Sequence, residues 1–340
     1  MNGAPSLFRS FFMRADAIML QKRSHCGMEW IMRTRRTSRS SLLVALGLVG
    51  LLPCGAARAG LEIVATIPDL AAVAEAVGGD RVEVSALAAP GEDPHYVDPR
   101  PAFLPRLARA SAVLVVGLEL EVGWLPPLLV NARNPAIVQG GRGYIDTSAC
   151  VSRKLQVPTV RIDRAMGDIH PGGNPHFHNA PGPLAEIALC LGERFAALDP
   201  AGASGHRTRA AAFAGQLRAL EREQSARFGA LPAERRRVVV FHDSLRYLAE
   251  WLKLEQVATV EEKPGIRPSP AQVARVLGTM RARGVRALLQ EAWHQDGVSR
   301  MLEKQAPARL VKLTGGVAAL SGPGLLAYLR ALAEAVHAAL

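Results

Sequence analysis

The stretch RVEVSALAAPGEDPHYVDPRPAFLPRLARASAVLVVGLELE (81–121) decides the fold. RVEVSAL (81–87) reads as a strand, PAFLPRLARA (101–110) as a helix and AVLVVG (112–117) as a second strand. Upstream, LEIVAT (61–66) reads as a buried strand and DLAAVAEAVG (69–78) as a helix closed by glycine. Strand and helix alternating at this spacing call for a parallel sheet with helices on its faces. The loop GEDPHYVDP (91–99) then falls at the carboxyl end of a strand, where open α/β sheets bind ligands.

The second half repeats the alternation. RRVVVF (236–241), QVATV (256–260), VRALLQ (285–290) and ARLVKL (308–313) read as strands. DSLRYLAEWL (243–252) and LLAYLRALAEAVHAAL (325–340) read as helices, and Ser269-Pro270 is an N-cap followed by proline at the first helical position. Residues 183–231 carry helical patterns and no strand, with a break at Leu198-Asp199-Pro200. The expected architecture is α/β: two lobes, each with a mainly parallel sheet, joined by a long helix. The expected segments are an upstream extension and leader (1–59), an N-terminal lobe (60–182), a helical segment (183–231) and a C-terminal lobe (232–340).

A chain of 340 residues with 49% apolar content holds two domains, each with its own core. The net charge of +11 misleads, because residues 1–59 hold nine of the 41 basic residues and two of the 30 acidic ones. The remainder is too mildly basic for a nucleic-acid binder. Arg33, Arg35, Arg36 and Arg39, the apolar run 42–52 and Ala57-Arg58-Ala59 make an export signal, with residues 1–31 as an extension upstream. The apolar run is short for a membrane span. Pro53 stands where a small residue would precede a lipidated Cys54, so no lipid anchor is expected. Cys150 and Cys190 remain after cleavage; in an oxidising compartment they are a candidate disulfide, or else two buried small hydrophobes.

Nine histidines occur, and three stand in ligand-like contexts. His95 lies in a proline- and acid-rich loop beside Glu92, Asp93 and Asp98. His170, His176 and His178 fall within GDIHPGGNPHFHNAP (167–181), where one or more could bind. His242 ends an apolar strand, where it is either a ligand or a satisfied core histidine. His206, His294 and His337 have weaker cases. Three neutral imidazoles favour zinc over manganese, which prefers oxygen donors. Three ligands with an open position also suit a hydrolase, with Glu92 or Glu291 activating water. The chain has no HExxH, GxSxG, GxGxxG or Walker A pattern to support an enzyme.

With these motifs in order, the chain from Leu61 onward resembles the solute-binding proteins of zinc and manganese ABC importers, a group that includes adhesin-like lipoproteins. The resemblance implies metal ligands at His95, His176 and His242, with Tyr247 near the third. It implies a metal, zinc before manganese, held between the lobes in a monomer and no catalysis. The implied location is the periplasm. The implied partners are a membrane permease with its cytoplasmic ATPase, and a metallochaperone as a further candidate. Many relatives carry an acidic fourth ligand in a Gly-Asp-Ser/Thr-Tyr context, whereas LTGGVAALSGPGLLAYL (313–329) has no acid. Water, Glu92 or His178 is then the candidate for the fourth position. His178 and Ala180 also depart from the usual tryptophan and aspartate after the second motif.

Overall fold

The computed structural model describes residues 60–159, 170–262 and 265–340. The expected leader, its cleavage site and Cys54 lie outside them.

The N-terminal lobe is built from β1 (Leu61–Ala65), α1 (Pro68–Gly78), β2 (Val82–Ala86), α2 (Phe103–Arg109), β3 (Ala112–Val115), α3 (Leu125–Ala132) and β4 (Tyr144–Asp146). All its strands pair in parallel, in the order β2-β1-β3-β4. Every residue of β3 is buried, as expected of a central parallel strand covered on both faces. Burying each such aliphatic side chain contributes about 1.5–3 kcal/mol. Glycine is required where α1 meets β2: a Cβ on Gly78 would lie 2.2 Å from Val82.

Two antiparallel-packed helices follow, α4 (Pro181–Leu198) and α5 (Ala203–Gly229). The C-terminal lobe then runs β5 (Arg237–Val240), α6 (Arg246–Trp251), β6 (Glu255–Thr259), α7 (Pro270–Arg283), β7 (Ala287–Glu291), α8 (Gly297–Gln305), β8 (Arg309–Leu313) and α9 (Gly322–His337). Its sheet is again all parallel, in the order β6-β5-β7-β8, the same winding as the first. Ser269 caps α7 by accepting from the Gln272 N–H.

Helices α3 and α8 and strand β4 were not anticipated from the sequence. Two prolines in the first turn of α3 blur its pattern, and β4 has only three residues. The helix expected over 243–252 is divided into a tight 3₁₀ turn (Asp243–Leu245) and α6.

The cores are not wholly separate. One apolar cluster joins Ile63 and Leu114 of the first sheet to Val238 and Leu289 of the second through α1, α4, α5 and α9. Outer clusters cover the far face of each sheet. Helix α9 leans across onto α1, where the Gly322 N–H donates to Glu75 Oε2 at 3.1 Å. A shared core of this kind restrains the lobes against wide hinge opening.

Candidate metal centre

His95 stands in the loop after β2. The Asp93 carboxylate accepts from the His95 backbone N–H (3.0 Å) and from its Nδ1–H (2.8 Å). His176 opens a 3₁₀ turn (His176–Asn179), and Asn174 Oδ1 accepts from its backbone N–H and from its Nδ1–H, both at 2.9 Å. Asp93-Pro94-His95 and Asn174-Pro175-His176 are therefore one local device used twice. Each side chain two residues back grips the histidine at two points and fixes its ring. The Asn174 amide is oriented by its other end, which donates to Gln156 Oε1 (2.7 Å) and to the Asp243 carbonyl (2.8 Å).

His242 follows β5 and is held differently. The parallel ladder continues past β6, with the Glu261 N–H donating to the Phe241 carbonyl at 2.8 Å. That register puts the Glu261 carboxylate beside the ring, where it accepts from Nδ1–H at 2.7 Å.

In all three residues Nδ1 faces an oxygen that can only accept, so Nδ1 carries the proton and Nε2 keeps its lone pair. The Nε2 atoms of His95 and His176 are buried with no hydrogen-bond partner. One nitrogen from each of His95, His176 and His242 lies within 4.8 Å of the others. Buried lone pairs converging without a proton to share are costly unless a cation is received there. Their chemistry fits a divalent transition metal as cargo.

The surrounding charges prepare the rings unequally. Burial, then the neighbouring imidazoles, pushes His176 well below the usual histidine range. Burial brings His178 down to about 3. Burial also acts to lower His242, but Glu261, Glu291 and Asp243 outweigh it and raise the group above its ordinary value. Asp93 is lowered: burial opposes its charge, but the bond to His95 prevails.

A cavity of about 150 Å³ opens beside two of the three, lined among others by Asp93, His95, His242, Glu261, Trp293 and His294. It is smaller than the roughly 300–1,000 Å³ that organic ligands occupy, and it suits an ion with a few waters. Around the His176 turn the lobes are stitched together. Tyr247 Oη donates to the Asn174 carbonyl at 3.1 Å and accepts from the Leu155 N–H at 2.8 Å. Asn179 Nδ2 donates to the Ser244 carbonyl at 3.0 Å.

Glu92 is turned away from the trio. It accepts from Arg100 and from the Ala89 N–H, each at 2.8 Å. His178 is buried one ring behind His176, with centroids 6.0 Å apart, and is not among the three converging nitrogens. His170 stacks on His95 at 5.5 Å and its Nδ1–H donates to the Leu118 carbonyl. Cys150 and Cys190 are joined as a disulfide with the sulfurs 2.09 Å apart. Sequence reasoning passed over Glu261 and underweighted His294, which lies beside His242 with ring centroids 5.8 Å apart.

Fold and pocket together define a two-lobed solute-binding protein. A profile of the family described as zinc-uptake complex component A, periplasmic (ZnuA), matches residues 63–339, and the chain belongs to that family. It is 22% identical over 276 residues to the metal ABC transporter substrate-binding lipoprotein ScbA of Streptococcus cristatus, covering 78% of this chain and 85% of that one. It is 24% identical over 261 residues to the manganese ABC transporter substrate-binding lipoprotein PsaA of Streptococcus pneumoniae, covering 74% and 80%. A crystal structure of ZnuA superposes with a TM-score of 0.66 at 24% identity, covering 81% of this chain and 99% of that one. The chain is thus a metal ABC-transporter substrate-binding protein and not an enzyme, and the family implies a membrane permease with its ATPase as partner. Both relatives are lipoproteins, which goes against the expectation of no lipid anchor, and that expectation is withdrawn. Among the described residues no helix is long and apolar enough to cross a membrane.

Proposed function

We propose that the protein captures zinc in the periplasm through His95, His176 and His242 and delivers it, as a monomer, to the permease of an ABC importer. The convergence of three nitrogens within 4.8 Å, each backed by an acceptor on Nδ1, carries this reading. Neutral imidazoles suit zinc better than manganese. The carboxylates of Asp93 and Glu261 stand behind the rings, where they offset the ion's charge without entering its shell.

Manganese is the second reading. One observation favours it: Glu291 Oε2 is buried without a hydrogen-bond partner near the site, and a carboxylate oxygen is what manganese would ask for.

Deleting the gene in its host tests the transport role. Growth under zinc chelation is expected to need a wild-type copy and to fail with a His176→Ala copy. Equal rescue by both copies would contradict the proposal.

A further inference from the structure

Three imidazoles leave zinc one donor short of the four it takes in tetrahedral sites. The protein groups nearest the trio are largely engaged elsewhere. Asp93 and Glu261 already hold His95 and His242. Glu291 Oε1 accepts from Ser244 Oγ, and its unpartnered Oε2 faces His294 Nε2 at 3.6 Å and does not line the cavity. The stretch LTGGVAAL (313–320) supplies no carboxylate, thiol or imidazole. His294 is different. It lines the cavity, its side chain is only 15% exposed, and its Nε2 is buried with no hydrogen-bond partner.

The fold has built a seat for this ring. The His294 N–H donates to the Glu291 carbonyl at 3.2 Å, and Gln290 Nε2 donates to the His294 carbonyl at 3.0 Å, so its backbone is pinned to the end of β7. The ring lies 4.5 Å from Phe241, centroid to centroid. The preceding Trp293 fits over Gly315: this glycine has φ +66°, and a Cβ there would lie 1.9 Å from the indole ring. Gly315 in turn accepts, through its carbonyl, from the Gly91 N–H of the loop that carries His95. Gly315 thus leaves room for Trp293, which sets the turn presenting His294.

Position in the sheet agrees. Strands β5 and β7 are neighbours whose crossovers leave in opposite directions, and residues at that switch point face the ligand crevice. His242 follows β5 and His294 follows β7. His95 and His176 come from the other lobe.

We infer that His294 is the fourth zinc donor, so that each lobe contributes two imidazoles to the ion. This inference rests on the three-histidine reading and extends it to the composition of the shell. His294 Nε2 is outside the group of nitrogens within 4.8 Å, so binding turns its ring, now 3.6 Å from Glu291 Oε2, toward the other three. A shell of four nitrogens and no oxygen disfavours manganese further. Because His242 and His294 leave adjacent strands of one sheet, the ion closes a link between the two lobes.

The test is X-ray absorption on the zinc-loaded full chain, beside zinc affinity by chelator competition, for wild type, His294→Ala and His294→Phe. The phenylalanine variant keeps a ring against Phe241 and removes the donor, and thermal unfolding of the metal-free proteins checks that both variants fold. Four imidazoles in wild type are expected, with three and an oxygen in both variants. Affinity is expected to fall by roughly a hundredfold, the upper end of what even a supporting partner costs when removed. Three imidazoles in wild type, or unchanged affinity in both variants, would overturn the inference and leave the trio standing. Failure of wild type to bind zinc would instead overturn the underlying three-histidine reading, and this inference with it.

Discussion

In the N-terminal lobe the acceptor that fixes each imidazole stands two residues before it: Asp93 for His95 and Asn174 for His176. In the C-terminal lobe the acceptor for His242 is Glu261, 19 residues away and brought in only by the pairing of β6 with β5. Local tethers are set by the turn, with the Asn174 amide also oriented by the Asp243 carbonyl of the other lobe. The long-range tether exists only once the second sheet has formed. The N-terminal lobe is further braced by the Cys150–Cys190 disulfide, whose loop encloses the His176 turn. Imidazole preparation differs as well. Burial pushes His176 well below the usual histidine range, whereas at His242 the carboxylates outweigh burial and raise the group, so protons compete there with a metal up to higher pH.

The largest effects should come from cutting the tethers. Asp93→Ala, Asn174→Ala and Glu261→Ala are each expected to weaken zinc binding by about ten- to hundredfold in chelator competition, the usual cost of losing an oriented partner. Mild denaturation of the metal-free protein should separate them. Restraint of His242 should vanish with the second sheet, and that of His95 and His176 should persist while their turns do. Loss of all three at one denaturant concentration would erase the distinction.

Proton competition sharpens it next. The raised value of His242 means that zinc affinity falls as pH drops through and below that value. Glu261→Gln removes the carboxylate that holds the proton, so the acid edge of zinc binding should move to lower pH even as affinity at neutral pH declines. Measured binding from pH 5 to 8 checks this, and an edge that moves upward would contradict it. For stability of the metal-free protein the sign differs from one histidine to another. The contribution of His242 is present below 6.5 and is lost as pH rises through its raised value. His178, brought down to about 3, and His294, brought down to about 4 by burial and then by His242, resist protonation, so they cost stability as pH falls below 6.5.

A smaller effect on the site is expected from the disulfide. Cys150→Ser should lower unfolding free energy by about 2–4 kcal/mol, read by denaturant titration, through the freed unfolded chain. Zinc affinity should change far less than with the tether variants.

The smallest effect belongs to Glu92→Ala. Its partner Arg100 is substantially exposed, and such pairs contribute about 0–1 kcal/mol. Zinc affinity should be unchanged in competition assays, and a clear loss would return Glu92 to the shell.

The same contrast explains what the sequence made legible. The repeated alternation of strands and helices exposed both sheets because buried parallel strands are continuous apolar runs, such as Val238–Val240 and Ala112–Val115. His95 and His176 were visible because a proline loop with an Asx residue two places back is a local signal. Glu261 was hidden because nothing near it in the chain marks a partner for His242. His294 was hidden for a related reason: its seat is made by Phe241 and Gly315, distant in sequence, together with the adjacent Trp293, and none of these carries a metal-binding signature of its own. The shared core was also out of reach, since the docking of α9 on α1 is a tertiary choice that the pattern of either helix leaves open.

The most direct measurement is metal stoichiometry. Purified protein would be stripped, offered equal zinc and manganese, and read by mass spectrometry beside a variant with His95, His176 and His242 all changed to alanine. One zinc per chain, absent from the variant, is the predicted result. Manganese in preference to zinc, or zinc retained by the variant, would contradict the account.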